Sequence, residues 1–338
     1  MPKKSLNEAD KKMSAPELIF KILFSLTDKI KSDIPGVIDG KNGDALHNLR
    51  VRARRIKILF KIFGKYLSED GITFKRKFSK IMKETQQKRD LDVLFSSLNS
   101  CINNDNDNVS AEAANNTAAK DKDEDGEKKG DANAGADENV NDKKEIVSDI
   151  LKEIELEQDR MLSFLGSREF NGFLQDWEEA VSKGVLFAGD ISDACPAEYF
   201  SFKINKIYKK LRKFIKNASF DDEELHELRL IFKEFRYTLE FSGGTFKEDI
   251  PSIIIEDVKK IQDALGGAHD KIFQISYLKK FDGGKEIRKD IKKSLEKDRE
   301  KVVKLAEKFR EDDRIKSFIY SLSEYSRKQN SKQNYNKG

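Results

Sequence analysis

The sequence predicts an all-α protein, on three observations. Apolar residues recur at helical spacing through most of the chain, five prolines are spread over 338 residues, and no stretch alternates apolar and polar residues as a strand would. Charged residues reach 37%, equal to the apolar share, so each helix is expected to bury one stripe and solvate the rest. The length allows one large or two modest domains.

Residues 1–13 are polar, carry no apolar core of a targeting signal, and read as a disordered leader. Leu18, Ile19, Ile22, Leu23, Leu26 and Ile30 then mark a helix from Pro16 to Lys31, with proline in its first turn. Pro35, Gly36, Gly40 and Gly43 are expected to break it. A second helix runs from Asp44, a candidate N-cap, to Tyr66, and a third from Ile72 to Leu98. Residues 101–144 have almost no large apolar side chains and read as a disordered acidic insert. The stretch 101–145 holds 13 acidic and 6 basic residues, so with the chain at +4 the remainder is distinctly basic. Within it, Asp121 to Gly126 alternates carboxylates as a calcium loop begins, but lacks the downstream ligand spacing and flanking helices, so no metal site is expected.

Helices resume at Glu145–Leu165 and Glu169–Ser182, the latter bearing the single tryptophan, Trp177, as a core residue. A loop through Gly184, Gly189 and Pro196 precedes a very basic helix, Tyr199–Lys216. Asp222–Phe241 forms the next helix, a long charged helix spans Lys285–Arg327, and residues 328–338 are a polar tail.

The helix from Asp44 organises the rest. On a helical wheel Leu46, Leu49, Ala53, Ile56, Phe60 and Phe63 share one arc, and His47, Arg50, Arg54, Lys57 and Lys61 share the adjacent one. A cationic stripe bordering the core is placed to line a groove between helices, whereas Arg52 and Arg55 fall off the stripe and are expected to be solvated. Shifted by 179 residues, His47, Arg50, Arg54 and Lys57 land on His226, Arg229, Lys233 and Arg236. At a shift of 180, Lys80 and Arg89 land on Lys260 and His269. The chain therefore reads as an internal duplication, repeat one over 14–184 and repeat two over 196–327. Two such helices about a pseudo-twofold axis would concentrate positive charge in a basic central groove, which calls for a multivalent anion: Arg forks onto phosphate oxygens, Lys supplies a point charge and a neutral His donates one N–H. Glu234 and Glu240 replace Arg55 and Lys61 of the first copy, so the second stripe is weaker.

These residues carry a resemblance. Leu46-His47 through Arg54-Arg55, Arg89-Asp90 through Leu94, Leu225-His226 through Arg236-Tyr237, and Lys260 through His269-Asp270 together resemble the CHAD family, the conserved histidine α-helical domain. The resemblance covers nearly all of 14–327 outside the insert. It implies two helical-bundle repeats around a basic channel that bind inorganic polyphosphate without known chemistry, and association with storage granules in some members. Carried over residue by residue, the contacts it implies are His47, Arg50, Arg54, Lys57, Lys80, Arg89, His226, Arg229, Lys233, Arg236, Lys260 and His269; Lys61 joins them from the wheel alone.

Other readings are weaker on chemistry. A phosphohydrolase or phosphotransferase using His226 or His269 lacks the acidic metal ligands that phosphoryl transfer normally uses. A nucleic-acid site would want aromatics interleaved with the cations for base stacking. No cofactor is expected. Cys101 and Cys195 form no motif, in keeping with a reducing compartment, and nowhere do 18 apolar residues run together, so the chain reads as cytoplasmic.

Overall fold

The computed structural model describes residues 13–40, 44–99, 134–189, 191, 195–243, 245–246 and 252–335. The leader up to residue 12, and residues 101–133 of the expected insert, lie outside them. The described chain is helical: α1 (Ala15–Asp39), α2 (Ala45–Ile62), α3 (Glu69–Glu84), α4 (86–99), α5 (Ala134–Leu165), α6 (Arg168–Lys183), α7 (Pro196–Asn217), α8 (Asp222–Phe241), α9 (Ser252–Tyr277), α10 (Lys285–Glu311) and α11 (Asp313–Tyr335). Among the described residues no strand forms; a single bridge pairs Leu67 with Phe187.

Local chemistry sets the ends. Ser14 and Glu17 close a capping box ahead of α1, and Gly40 ends that helix in the left-handed region at φ 65°. Ser68, Ser167 and Asp221 cap α3, α6 and α8 through their side chains. Asp44 holds the N-cap position of α2 without closing a side-chain cap. Before α8, Phe220 adopts φ 59°, and the Glu224 carboxylate collects the N–H groups of Ser219 (2.6 Å) and Phe220 (2.8 Å) to hold that turn.

The chain divides into two compact units. The first comprises residues up to Thr85, Ser163–His269 and those from Glu296 onward. Within it α2 packs on α1, α3 and α8, α7 packs on α8 and α11, and α6 packs on α1 and α3. Trp177 is 1% exposed, sits edge-on to Phe60, Phe74 and Phe78, and donates its indole N–H to Thr27 Oγ1 at 2.8 Å. Tyr208, Phe232 and Phe235 gather on Phe309 in the same unit. The second unit, Gln86–Leu162 with Asp270–Leu295, buries Leu91, Leu94, Leu98, Ile146, Ile150, Tyr277, Leu278 and Ile287 together.

Several element boundaries differ from expectation; α2, for one, ends at Ile62, and a short 3-10 turn covers Gly64–Tyr66. α1 runs on through Pro35 to Asp39, because Val37 is buried and Asp33 pairs with Arg52 of α2, and these contacts outweigh the N–H that proline removes. The helix expected over Ile72–Leu98 divides at Thr85, whose hydroxyl donates to the Ile81 carbonyl (2.8 Å) and accepts from Arg50 (2.6 Å). The Lys285–Arg327 helix divides at Asp312, whose carboxylate accepts from the Arg314 N–H at 2.9 Å and starts α11, which continues to Tyr335 through most of the expected tail. Finally, α5 begins at Ala134, inside the expected insert.

At Gly71 the start of α3 lies against the backbone of Leu186. A Cβ there would lie 2.2 Å from the Leu186 backbone oxygen, which accepts a hydrogen bond from Ser68 N–H at 3.2 Å. Gly172, inside α6, has open space where its Cβ would be. Urea denaturation should therefore show Gly71→Ala destabilised by about 1–3 kcal/mol and Gly172→Ala stabilised by roughly 0.5–1 kcal/mol.

Candidate functional site

The apolar comb of α2 is buried as its spacing requires: Leu46, Leu49, Ala53, Ile56, Phe60 and Phe63 all lie in the core. Beside it, His47 and Lys61 are exposed, while Arg54 and Lys57 are half-buried. Arg50 departs from the stripe. It is 4% exposed, and its Nη1 donates to the Met82 carbonyl (2.9 Å) and to Thr85 Oγ1 (2.6 Å), joining α2 to the end of α3.

Two groups of basic side chains lie at the border of the core. On α2 and α3, Lys57 is held below the usual lysine range, first by burial and then by Arg54 and Lys75, both positive. Lys75 was invisible to the repeat, because the residue 180 positions later is Ile255. On α8 and α9, His226 and His269 stand with ring centroids 5.1 Å apart. Burial pushes the His269 imidazole down to about 4, and Arg229, His226 and Lys233 push the same way. His226 is lowered by burial, Arg229 and Lys233. Both rings are therefore neutral at pH 7, each able to offer one N–H to an anion.

Several cations of the expected set have carboxylate partners. Lys61 Nζ reaches Glu234 at 2.6 Å, and Arg55 reaches Glu240 at 3.3 Å, so the two glutamates that interrupt the second stripe bind cations of the first. Glu240 also accepts from Arg236 Nε at 2.7 Å, and Arg236 Nη1 donates to Gln262, whose side-chain amide donates to the Phe232 carbonyl and ties α9 to α8. Lys80 pairs with Glu169 at 2.6 Å and Lys260 with Asp257 at 3.4 Å. Arg89 belongs to the second unit. The structure thus brings together Arg54 with Lys57, and His226 with Arg229, Lys233 and His269.

Near the C-terminus of α2 a further group gathers. Lys203 on α7 is held low by burial and by Lys206, Lys65 and Lys61, against which Glu234 acts in the opposite sense. Lys65 and Lys203 both stand over the Tyr199 ring. Among the described residues no three His, Cys, Asp or Glu side chains converge as metal ligands, and no helix is long and apolar enough to cross a membrane.

Comparison with known proteins agrees with this architecture. The chain is similar in fold to the crystal structure of the CHAD domain from the plant Ricinus communis, with TM-score 0.59 and 17% identity over 94% of this chain and 93% of that one. It is also similar to PptA from Streptomyces chartreusis, with TM-score 0.61 and 10% identity over 89% of this chain and 100% of that one. A search of curated proteins finds no match. The family model described as the CHAD domain matches residues 21–279, most of the chain, so the protein belongs to the CHAD domain family.

Proposed function

We propose that the first unit binds inorganic polyphosphate without turning it over, through the cations of α2–α3 and α8–α9. The observation that carries this reading is like charge held beside like charge at the edge of a core. Lys57 faces Arg54 and Lys75, and the His226–His269 pair faces Arg229 and Lys233. A chain of phosphates placed beside these side chains would favour their charged forms. Arg54, Lys57, Lys75, Arg229 and Lys233 supply the charge, and His226 and His269 supply neutral donors. The charges around the histidines are cations rather than a base, which suits donation to an anion better than nucleophilic attack.

The remaining residues take graded roles. Lys61, Lys80 and Lys260 have side chains 62%, 46% and 64% exposed, so their ion pairs are weak and can be exchanged for phosphate. Arg236 is likewise shared with Glu240, and His47 extends the stripe at the start of α2. Arg50, buried between Met82 and Thr85, positions the end of α3. The exchange of partners between α2 and α8 supports a pseudo-twofold relation: residues 55 and 61 correspond to 234 and 240, and the pairs formed are 55 with 240 and 61 with 234. A cytoplasmic setting, with association to storage granules, belongs to the same proposal.

Combined Lys57→Glu and Lys233→Glu should weaken polyphosphate binding by about tenfold or more and flatten its dependence on log salt, with circular dichroism unchanged. Retained affinity in that variant would place the site elsewhere. Because a bound polyanion raises imidazole pKa values that the free protein holds low, binding should take up protons at pH about 6, and affinity should rise as pH falls from 7 toward about 5. Calorimetry in buffers of different ionisation enthalpy checks this, and replacing both histidines by glutamine should remove the proton uptake.

A further inference from the structure

Arg52 and Arg55 fall off the cationic stripe of α2 and are expected to be solvated, yet their side chains are only 20% and 32% exposed. Both line a cavity of about 400 Å³ bounded by α1, α2 and the end of α8, on residues the polyphosphate reading does not use. Its walls are apolar at Ile22, Leu26, Val51 and Phe241, and Lys21 and Lys29 also belong to the lining.

The two guanidinium groups are fixed in place. Arg55 lies against two rings, its central carbon 5.6 Å from the Tyr237 centroid and 5.3 Å from that of Phe241. Arg52 is held by Asp33 of α1. Each has its Nε buried with no hydrogen-bond partner, a donor that is costly to leave unused. Glu240 is the acidic residue of the lining, and it is already shared between Arg55 and Arg236. The balance of charge around the cavity is therefore positive, while its volume and apolar walls suit one small molecule rather than an extended phosphate chain.

We infer that this cavity binds a small organic anion, a carboxylate or phosphate headgroup on an apolar body. The headgroup pairs with Arg52 and Arg55, and the body packs on Ile22, Leu26, Val51 and Phe241. This site is independent of the polyphosphate reading, because none of Arg54, Lys57, His226, Lys233 or His269 lines it.

Calorimetric titration of the full chain with octyl phosphate and, separately, octanoate tests the inference. At least one of the two should bind saturably at one site, and the stronger identifies the headgroup. Ser25 is exposed and lines the cavity, so Ser25→Trp fills it without entering the core. That variant should lose about tenfold or more in affinity for the probe while keeping its unfolding temperature and its affinity for polyphosphate. Lys29→Glu should weaken the probe in the same direction. Absence of saturable binding by both probes, or binding that Ser25→Trp leaves intact, overturns the inference, and neither result touches polyphosphate binding.

Discussion

Two carboxylates of α8 set the electrostatics of the first unit. Glu234 reaches Lys61 and Glu240 reaches Arg55, both on α2, so the contact between these helices is partly an exchange of ion pairs, beside buried apolar faces that hold Leu49, Ala53, Ile56 and Phe60 on α2 and Leu228, Phe232, Phe235 and Leu239 on α8. Burying those faces places the adjacent stripe of each helix at the border of the core, where charges are partly desolvated and feel one another strongly. The glutamates neutralise the outer cations. Arg54 and Lys75 lie close enough to Lys57, and Arg229 and Lys233 close enough to the two imidazoles, to hold Lys57, His226 and His269 below their ordinary pKa values. On the proposed reading, a polyanion is the ligand that these basic side chains attract.

The fold was legible because the strongest sequence signal, apolar spacing at 3.6 residues, is also what packs the helices. Every apolar position marked on α2 is buried, Trp177 lies in the core, and helical structure fills the segments where it was expected. The boundaries were less legible because they depend on tertiary contacts. Nothing local announces that Pro35 will be carried through a helix by Val37 and the Asp33–Arg52 pair, or that the Thr85 hydroxyl, joined to Arg50 from 35 residues away, will interrupt another. Asp312 is a cap in an otherwise uninterrupted charged pattern, and its signal is a single residue.

The candidate site was legible to the extent that it repeats. Residues recurring in phase, His47 with His226, Arg54 with Lys233 and Arg50 with Arg229, stand out against many solvated cations. Phase cannot distinguish a cation that lines a groove from one that joins helices, and the hydrogen bonds of Arg50 to Met82 and Thr85 join α2 to the end of α3. Lys75 escaped for the opposite reason, since it acts beside Lys57 without a counterpart in the second copy. Arg55 was misjudged because its aromatic and acidic partners, Tyr237, Phe241 and Glu240, come from α8, which no wheel of α2 contains.

The most direct measurement is the affinity of the full chain for phosphate chains of defined length, with orthophosphate as the shortest, at low and at physiological salt. A series of cations along two helices engages more phosphates as the chain grows, so affinity should climb with length until the stripes are covered and should fall steeply with salt at every length. Orthophosphate and long polyphosphate binding equally weakly at low salt would contradict the account.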